Sequence, residues 1–282
     1  MEYKSEKELK AELQSIKENN WKLPEGTDAY KLCLDMMHTI GTLDSYLRDQ
    51  LILTMLCTII EDKLITYKEM RELLALCLSD EHLFCGVGSV NEDSVFNRTF
   101  TACTLESIIH VANDAGEELL SGEEILATYK KVMEYYRKEE DYRGYVIGKG
   151  WADSNDHAAY LLQQYARSKY LGYEEFMDIL SVIKEKVYIN SYTFVNEEEE
   201  SFISIFMEIY DRHVIKDEEL IKWINGFDQI TKTGKLPEDQ YLRQNVKLFV
   251  RNLYFRFKKY NLGEEFMEAA YDAVKRLTPS YY

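Results

Sequence analysis

The sequence predicts an all-α protein, an α-solenoid of about five stacked helical hairpins of the HEAT or armadillo kind, with two extra helices at the N-terminus. Three observations predict it. Prolines and glycines are few, with 3 and 13 in 282 residues, apolar residues recur at helical spacing, and helix start signals alternate in a regular order. We therefore expect a single elongated domain over residues 1–282, with N-terminal helices over 1–41, hairpins over 42–277 and a tail over 278–282.

Two helices are predicted before the hairpins. Ser5 and Glu8 have the spacing of a capping box, in which each side chain accepts a hydrogen bond from the backbone amide of the other residue. A second helix is predicted over residues 27–40, after a proline and a glycine. The core-facing side of the first helix is an apolar stripe at helical spacing, formed by Leu9, Leu13 and Ile16.

Each hairpin is predicted to start with a core-facing helix. Asp-Ser pairs that begin at Asp44, Asp93 and Asp153 stand directly before long apolar stripes. A side-chain oxygen at this position can accept a hydrogen bond from a first-turn amide. We therefore expect these pairs to cap the first helices of three hairpins. Two later first helices are predicted over 197–214 and 240–260.

The second helix of each hairpin is more charged than the first. Capping boxes start two of them, at Thr66 and Ser121, and a glycine, Gly172, precedes the third. The last two are predicted over 217–227 and 263–276. First helices recur at steps of about 43 to 60 residues, near or above the roughly 40–47 residues of armadillo and HEAT units. An irregular all-helical globule is the alternative that this spacing leaves open.

The charge of the chain limits its partners. A formal net charge of −16 disfavours nucleic acids and anionic membranes, because contacts with phosphates are made by lysine and arginine. The same charge favours basic proteins or cations. The most apolar run, residues 51–60, is half the length of about 20 residues that a membrane span needs. We therefore expect a partner that is a protein or peptide, neither nucleic acid nor membrane.

Five cysteines lie mostly among apolar residues, and their number is odd. This usage is typical of reduced thiols in the cytoplasm. The N-terminal segment also lacks the basic and apolar regions of a secretory signal. We therefore expect a cytoplasmic protein.

Two connections between hairpins are long, the 79–93 loop and the 139–157 loop, and each contains a Gly-x-Gly. In a stack of hairpins such connections lie on one edge, so we expect the two loops to be neighbours. In the segment GKGWADSNDHAA, Lys149 and the glycines suggest an anion seat at a helix N-terminus. Asp153 and Asp156 carry opposing charge there, and the Walker pattern is missing.

Other residues of these loops suggest acid-base or metal chemistry. Asp153 and His157 are four residues apart on one helix face and could transfer protons, with Glu81 as a third candidate. A structural histidine capped by Asp153 is the simpler interpretation. Trp151 is either a loop anchor or a surface on which a ligand stacks. Zinc ligands are suggested weakly by Cys77, His82 and Cys85, whose spacing matches no known finger, and we predict no cofactor.

The acidic run Glu197 to Glu200 is expected to be a solvated helix start. Negative side chains at a helix N-terminus are stabilised by the helix dipole, so the run needs no ligand.

Four segments carry a family resemblance: RDQLILTML from Arg48, LSDEHLFCGVG from Leu78, DSVFNRTFT from Asp93 and RGYVIGKGWADS from Arg143. Over roughly residues 44–200 the chain resembles an uncharacterised family of Gram-positive bacteria, the domain of unknown function 2785. The resemblance implies a cytoplasmic, all-helical, repeat-like protein without an assigned activity.

Two residues depart from the family pattern, which has a histidine at the position of Asp153 and an aspartate at that of Tyr160. Of that histidine and aspartate trio only His157 remains, so the resemblance does not carry a shared activity to this chain. Glu81, a catalytic candidate, matches the pattern. The other matching residues are candidate ligand-binding positions: His82, Asp93, Arg98, Arg143, Lys149 and Trp151.

The sequence therefore favours a non-enzymatic scaffold that binds a protein or peptide, possibly a basic one, as a monomer or homodimer. The alternative is an enzyme, or a receptor for a small ligand or metal, with a site formed by the 79–93 and 139–157 loops.

Overall fold

The computed structural model describes residues 2–278 and residue 280, and within them the structure is helical apart from one pair of two-residue strands. The all-α class is therefore confirmed. Backbone contacts divide the chain into two compact units, Met1–Tyr170 and Leu171–Tyr282. Three of the five residues of the predicted tail lie outside the described residues.

The first unit contains seven α-helices and both strands. A π-helical segment, Tyr46–Ile52, runs directly into α3. The longest helix of this unit, α5, packs against α3, α4 and α7, and most of its side chains are buried for that reason. The elements are α1 Glu6–Glu18, α2 Ala29–Thr39, α3 Leu53–Glu61, α4 Tyr67–Cys77, α5 Ser94–Ala115, α6 Gly122–Lys138, β1 Tyr145–Val146, β2 Gly150–Trp151 and α7 Ser154–Arg167.

The second unit contains five α-helices around an aromatic core. Helix α11 packs against α8, α9 and α12, and α10 packs against α12. Trp223 contacts Phe227 edge to face with ring centroids 4.7 Å apart, and Phe227 contacts Phe249 in a tilted arrangement with centroids 4.9 Å apart. The helices are α8 Tyr173–Val187, α9 Glu198–Asp211, α10 Asp217–Asn225, α11 Glu238–Tyr260 and α12 Glu264–Leu277.

The helix start signals are confirmed where they are capping boxes. The side chains of Ser5, Thr66 and Ser121 each accept a hydrogen bond from the backbone N–H three residues later. The residue at that position is a glutamate in each case, and its carboxylate accepts a hydrogen bond from the backbone N–H of the serine or threonine. Within each unit the predicted first helices also lie side by side, since α5 packs against α3 and α7, and α9 packs against α11.

The Asp-Ser pairs cap a helix at one position only. Asp44 Oδ1 accepts a hydrogen bond from the backbone N–H of Leu47 at 3.1 Å. The prediction is wrong for Asp93 and Asp153, whose side chains make no cap hydrogen bond. The carboxylate of Asp93 binds Lys149 instead. Asp153 has a left-handed backbone (φ 43°), which differs from the extended backbone of an ordinary N-cap residue.

The acidic run at the start of α9 is not a solvated helix end, so that expectation is wrong for two of its residues. Glu198 and Glu199 are buried. The Tyr192 hydroxyl and the Asn196 amides from the preceding loop donate to Glu198, and Asn252 of α11 donates to Glu199. The first turn of α9 is covered because this loop and α11 pack over it.

Within residues 2–278 and 280, no helix is long and apolar enough to cross a membrane.

Candidate functional site

The segment GKGW forms a β-hairpin that precedes α7. Strands β1 and β2 pair antiparallel, with Tyr145 opposite Trp151. The Lys149 N–H donates to the Val146 carbonyl at 3.0 Å and closes the turn. Gly148 and Gly150 have φ of +80° and +86°, a region that only glycine adopts readily. The two glycines are therefore required by the turn.

Gly150 is also required by its surroundings. A Cβ atom at this position would lie 2.7 Å from Ser45 Cβ and 2.9 Å from Arg48 Nη2, which is closer than real side chains approach. The hairpin is thus pressed against the start of the π-helical segment.

Arg48 holds the hairpin in place from its buried side. Its side chain is buried, donates to the Lys149 carbonyl at 2.6 Å and to the Thr42 carbonyl at 2.7 Å, and lies over the rings of Phe96 and Phe100. Burial lowers the pKa of Arg48, although the carboxylate of Asp49, 2.8 Å from Nε, opposes this. A buried guanidinium that binds backbone carbonyls fixes the hairpin in one position.

The 79–93 and 139–157 loops lie against each other, as predicted. Lys149 Nζ lies 2.6 and 2.8 Å from the two carboxylate oxygens of Asp93. The Asn91 N–H donates to Asp141 at 3.1 Å, and Arg143 donates to the Glu92 carbonyl at 2.7 Å. These contacts join residues 91–93 of the first loop to residues 141–149 of the second.

A buried ion pair lies beneath the joined loops. Arg98 donates to both carboxylate oxygens of Glu139, from Nε at 2.6 Å and from Nη2 at 2.9 Å. Its Nη1 donates to the carbonyls of Cys85 and Gly86. Burial acts to lower the pKa of Arg98, but the hydrogen bonds and charge of Glu139 outweigh it and raise the pKa. Arg98 therefore stays protonated and ties α5 to both loops.

The predicted ligand-binding cations are all engaged with carboxylates. Lys149 binds Asp93, Arg98 binds Glu139, and Arg143 binds Asp141 through Nε and Nη2. An anion at the Gly-Lys-Gly turn would have to displace one of these partners. The arrangement therefore acts as a clamp on the loops.

His157 is a weak base in this setting. Its Nδ1 is sealed from solvent without a hydrogen-bond partner among the described residues, and its ring packs near Phe100 and Tyr160. Burial lowers the pKa of His157 to about 4. Its backbone N–H, which is not part of the imidazole, donates to the Asp153 carbonyl. The ring is therefore neutral at pH 7, and a general base would need a pKa nearer to 7.

The remaining candidates lie on the 79–93 loop and in α4. The Glu81 side chain is exposed, whereas His82 is buried, and burial lowers the pKa of the His82 imidazole. Burial also raises the pKa of the Cys77 thiol far above its usual value. Cys85 is partly exposed. Among the residues that the structure describes, no group of three His, Cys, Asp or Glu side chains could hold a metal ion.

Two exposed apolar residues of the hairpin, Tyr145 and Ile147, were missed from the sequence, whereas Trp151 was among the sequence candidates. Ile147 at the tip of the hairpin is 92% exposed, Tyr145 is 58% exposed and Trp151 is 42% exposed. The rings of Tyr145 and Trp151 contact each other edge to face, with centroids 5.1 Å apart. We call these three residues the apolar tip. The available sequence signal was the alternation of residues in YVIGKGW. In a strand Tyr145 and Ile147 lie on one face and Val146 on the other, and Val146 packs against a buried cluster.

A second apolar surface lies between α4 and α6, which are both second helices of predicted hairpins. It is a groove of about 320 Å³, and Arg71 of α4 and Glu124 of α6 form an ion pair at it with Nη1 and Oε1 2.5 Å apart. Its apolar lining is Leu74, Ala75, Leu78, Leu120 and Ala127.

Searches of curated proteins and of solved structures find no match to the chain. A family model does match, over residues 83–255, and its description is "Protein of unknown function (DUF2785)". The match includes residues 83–93 of the first loop, the whole 139–157 loop, the buried ion pair and the hairpin with its apolar tip. Because it covers more than half of the chain, the protein belongs to the DUF2785 family.

Proposed function

We propose that the protein is a non-enzymatic scaffold that binds a protein or peptide through the apolar tip of its hairpin. The observation that carries the proposal is Ile147, an isoleucine that is 92% exposed at the end of a firmly held turn. Exposed apolar side chains that lie close together are typical of interaction sites, and here Tyr145 contacts Trp151 while Ile147 lies at the tip of the same hairpin. Aromatic residues are also enriched among those that contribute most to binding.

The rigidity of the hairpin supports this function. Arg48 holds the carbonyl of Lys149, Asp93 holds its ammonium group, and Val146 packs against the buried Phe96. A surface that is ordered before binding loses less conformational entropy on association. The ion pairs of the two loops therefore serve to present the apolar tip.

The negative charge of the chain favours a basic partner. A net charge of −16 attracts basic proteins over long distances and repels nucleic acids and anionic membranes. The five cysteines are free thiols, which suits the cytoplasm. We propose a basic protein partner that contributes an apolar pocket for Ile147.

We also propose that the helices form a repeat of hairpins, as the sequence predicts. The side-by-side packing of α3, α5 and α7, and of α9 and α11, supports a hairpin repeat within each unit. The groove between α4 and α6 gives such a repeat a second apolar contact surface.

The alternative, an enzyme or small-ligand receptor at the two loops, is less well supported. Its cations are occupied by Asp93, Glu139 and Asp141, and its histidine, His157, is a weak base. A ligand there would have to break ion pairs before it gained contacts.

The proposal is tested by photo-crosslinking in the cells that make the protein. A benzoylphenylalanine at position 147 is expected to crosslink to a discrete protein. The matched control is the same probe at position 236, where Leu236 is 72% exposed in the second unit. Crosslinks at 147 that are as sparse and varied as those at 236 would contradict the proposal.

A further inference from the structure

An open cleft of about 570 Å³ lies in the second unit. It is formed by the first turn of α9, the loop before it and the face of α11 that packs against them. Residues from all three segments line the cleft: Phe194, Val195, Glu197, Glu199, Glu200, Leu248, Asn252 and Arg256.

Glu199 differs from the other carboxylates at this helix start. Only 2% of its surface reaches solvent, and its Oε1 accepts a hydrogen bond from Asn252 Nδ2 at 2.7 Å. Its Oε2 is buried and has no hydrogen-bond partner among the described residues. By contrast, Glu198 accepts from the loop, and Glu200 pairs with Arg256. One acceptor of the cleft is therefore left unsatisfied.

An unsatisfied buried carboxylate is unfavourable for the folded protein. Such a group loses its hydrogen bonds to water on folding without gaining a donor in the protein, and the loss is larger when the group is charged. Burial raises the pKa of Glu199 to about 7; the backbone N–H of Glu199 itself acts against this, and the neighbouring Glu200, Glu198 and Glu197 act in the same direction as burial. From α11, Arg256 is the charged group in the cleft lining. A hydrogen-bond donor that enters the cleft could bind Glu199 Oε2 and satisfy this acceptor.

The lining indicates which donor fits. Three carboxylates, Glu197, Glu199 and Glu200, face one guanidinium, that of Arg256, so a cation is favoured over a neutral donor. Phe194, Val195 and Leu248 supply apolar walls for an aliphatic chain. A metal ion fits less well, since no group of three such ligands converges in the described part of the chain.

We propose that this cleft binds a primary ammonium group on an aliphatic chain, with Glu199 Oε2 accepting one of its hydrogen bonds. The site goes beyond the proposed function, because it lies in the second unit and uses neither loop of the first. An ammonium group on an aliphatic chain occurs both in free diamines and in the lysine side chain of a protein.

Isothermal titration of the full-length protein tests the proposal with two probes. One is 1,4-diaminobutane and the other is a lysine blocked at its amino and carboxyl ends. The test variant is Glu199→Gln, which keeps an acceptor for Asn252. The control is Glu218→Gln, which removes the same charge from the exposed first turn of α10. Thermal unfolding of both variants shows that they are folded.

We expect Glu199→Gln to weaken binding about tenfold or more, and Glu218→Gln to change it by no more than about twofold. Wild-type affinity should rise about tenfold from about pH 6 to about pH 8, because Glu199 must lose its proton to accept from an ammonium group. The probe that binds more tightly assigns the source of the ligand, and either source supports the site. Absence of binding by both probes, or equal weakening by the two variants, would overturn the proposal.

Discussion

The ammonium group of Lys149 lies 2.6 and 2.8 Å from the two carboxylate oxygens of Asp93. Lys149, in the middle of a Gly-Lys-Gly turn, therefore joins the two loops. Arg98 joins α5 to Glu139 of the 139–157 loop, and Arg143, which pairs with Asp141 of its own loop, donates to the Glu92 carbonyl of the other, so the charged residues of the site stabilise its architecture. What they leave exposed is the apolar tip, and its central residue is Ile147.

The two kinds of ion pair should differ strongly in their effect on stability. Arg98→Met takes the guanidinium away from the buried carboxylate of Glu139, to which Tyr135 and Asp141 still donate, and should lower the free energy of unfolding by about 3–5 kcal/mol. Lys149→Met breaks a half-exposed pair and should lower it by about 1 kcal/mol or less. Urea denaturation measures both. Similar losses in the two variants would show that the Arg98 pair is not a buried one.

The two glycines of the turn provide a matched pair of substitutions. Both have positive φ, so an alanine at either position is strained by about 1–2 kcal/mol. At Gly148 the new Cβ meets open space, whereas at Gly150 it would collide with Ser45 and Arg48. Gly150→Ala should therefore destabilise the protein clearly more than Gly148→Ala, and should speed hydrogen exchange of the hairpin amides. Equal effects would contradict the close contact between the hairpin and the π-helical segment.

His157 should make the protein sensitive to acid. Burial lowers its pKa to about 4 in the folded state, below the ordinary value of 6.5. The unfolded chain then takes up a proton more readily, so this contribution to stability is complete above about pH 6.5 and is lost as the pH falls towards 4. The contribution of His157 should change the free energy of unfolding by at most about 1.4 kcal/mol per pH unit, and it should be absent in His157→Gln. An NMR titration that gives a pKa near 6.5 for His157 would contradict this account.

Glu199 should have the opposite pH dependence. Its pKa is raised to about 7 from an ordinary value of 4.5, so the folded state favours the protonated form. This contribution is complete below about pH 4.5 and is lost as the pH rises through 7. Glu199→Gln should therefore be more stable than the wild type at pH 8 and similar to it at pH 4. A stability difference that does not change between these pH values would disprove the raised pKa.

Local signals in the sequence were sufficient for the helices. Capping boxes at Ser5, Thr66 and Ser121 depend on residues three apart, and all three form as predicted. The Asp-Ser pairs at Asp93 and Asp153 have the same local pattern but different surroundings. Lys149, 56 residues from Asp93 in the sequence, takes the carboxylate that was expected to cap α5.

The candidate site could be located from the sequence, but its chemistry could not. The glycine-rich loops and their proximity were predicted, whereas the pairing of Lys149 with Asp93 and of Arg98 with Glu139, 56 and 41 residues away, depends on tertiary contacts. The burial of Glu199 was missed for a related reason. An acidic run at a helix start is usually solvated, and only the packing of α11 and of the preceding loop covers this one.

The affinity of the crosslinked partner for the purified protein tests the central claim most directly. The dissociation constant should be compared for the wild type, Ile147→Asp and the matched exposed control Leu236→Asp. Burial of an isoleucine contributes about 1.5–3 kcal/mol, so Ile147→Asp should weaken binding about tenfold or more, and Leu236→Asp should leave it within about twofold. If Ile147→Asp binds the partner as tightly as the wild type does, the apolar tip is not the binding surface.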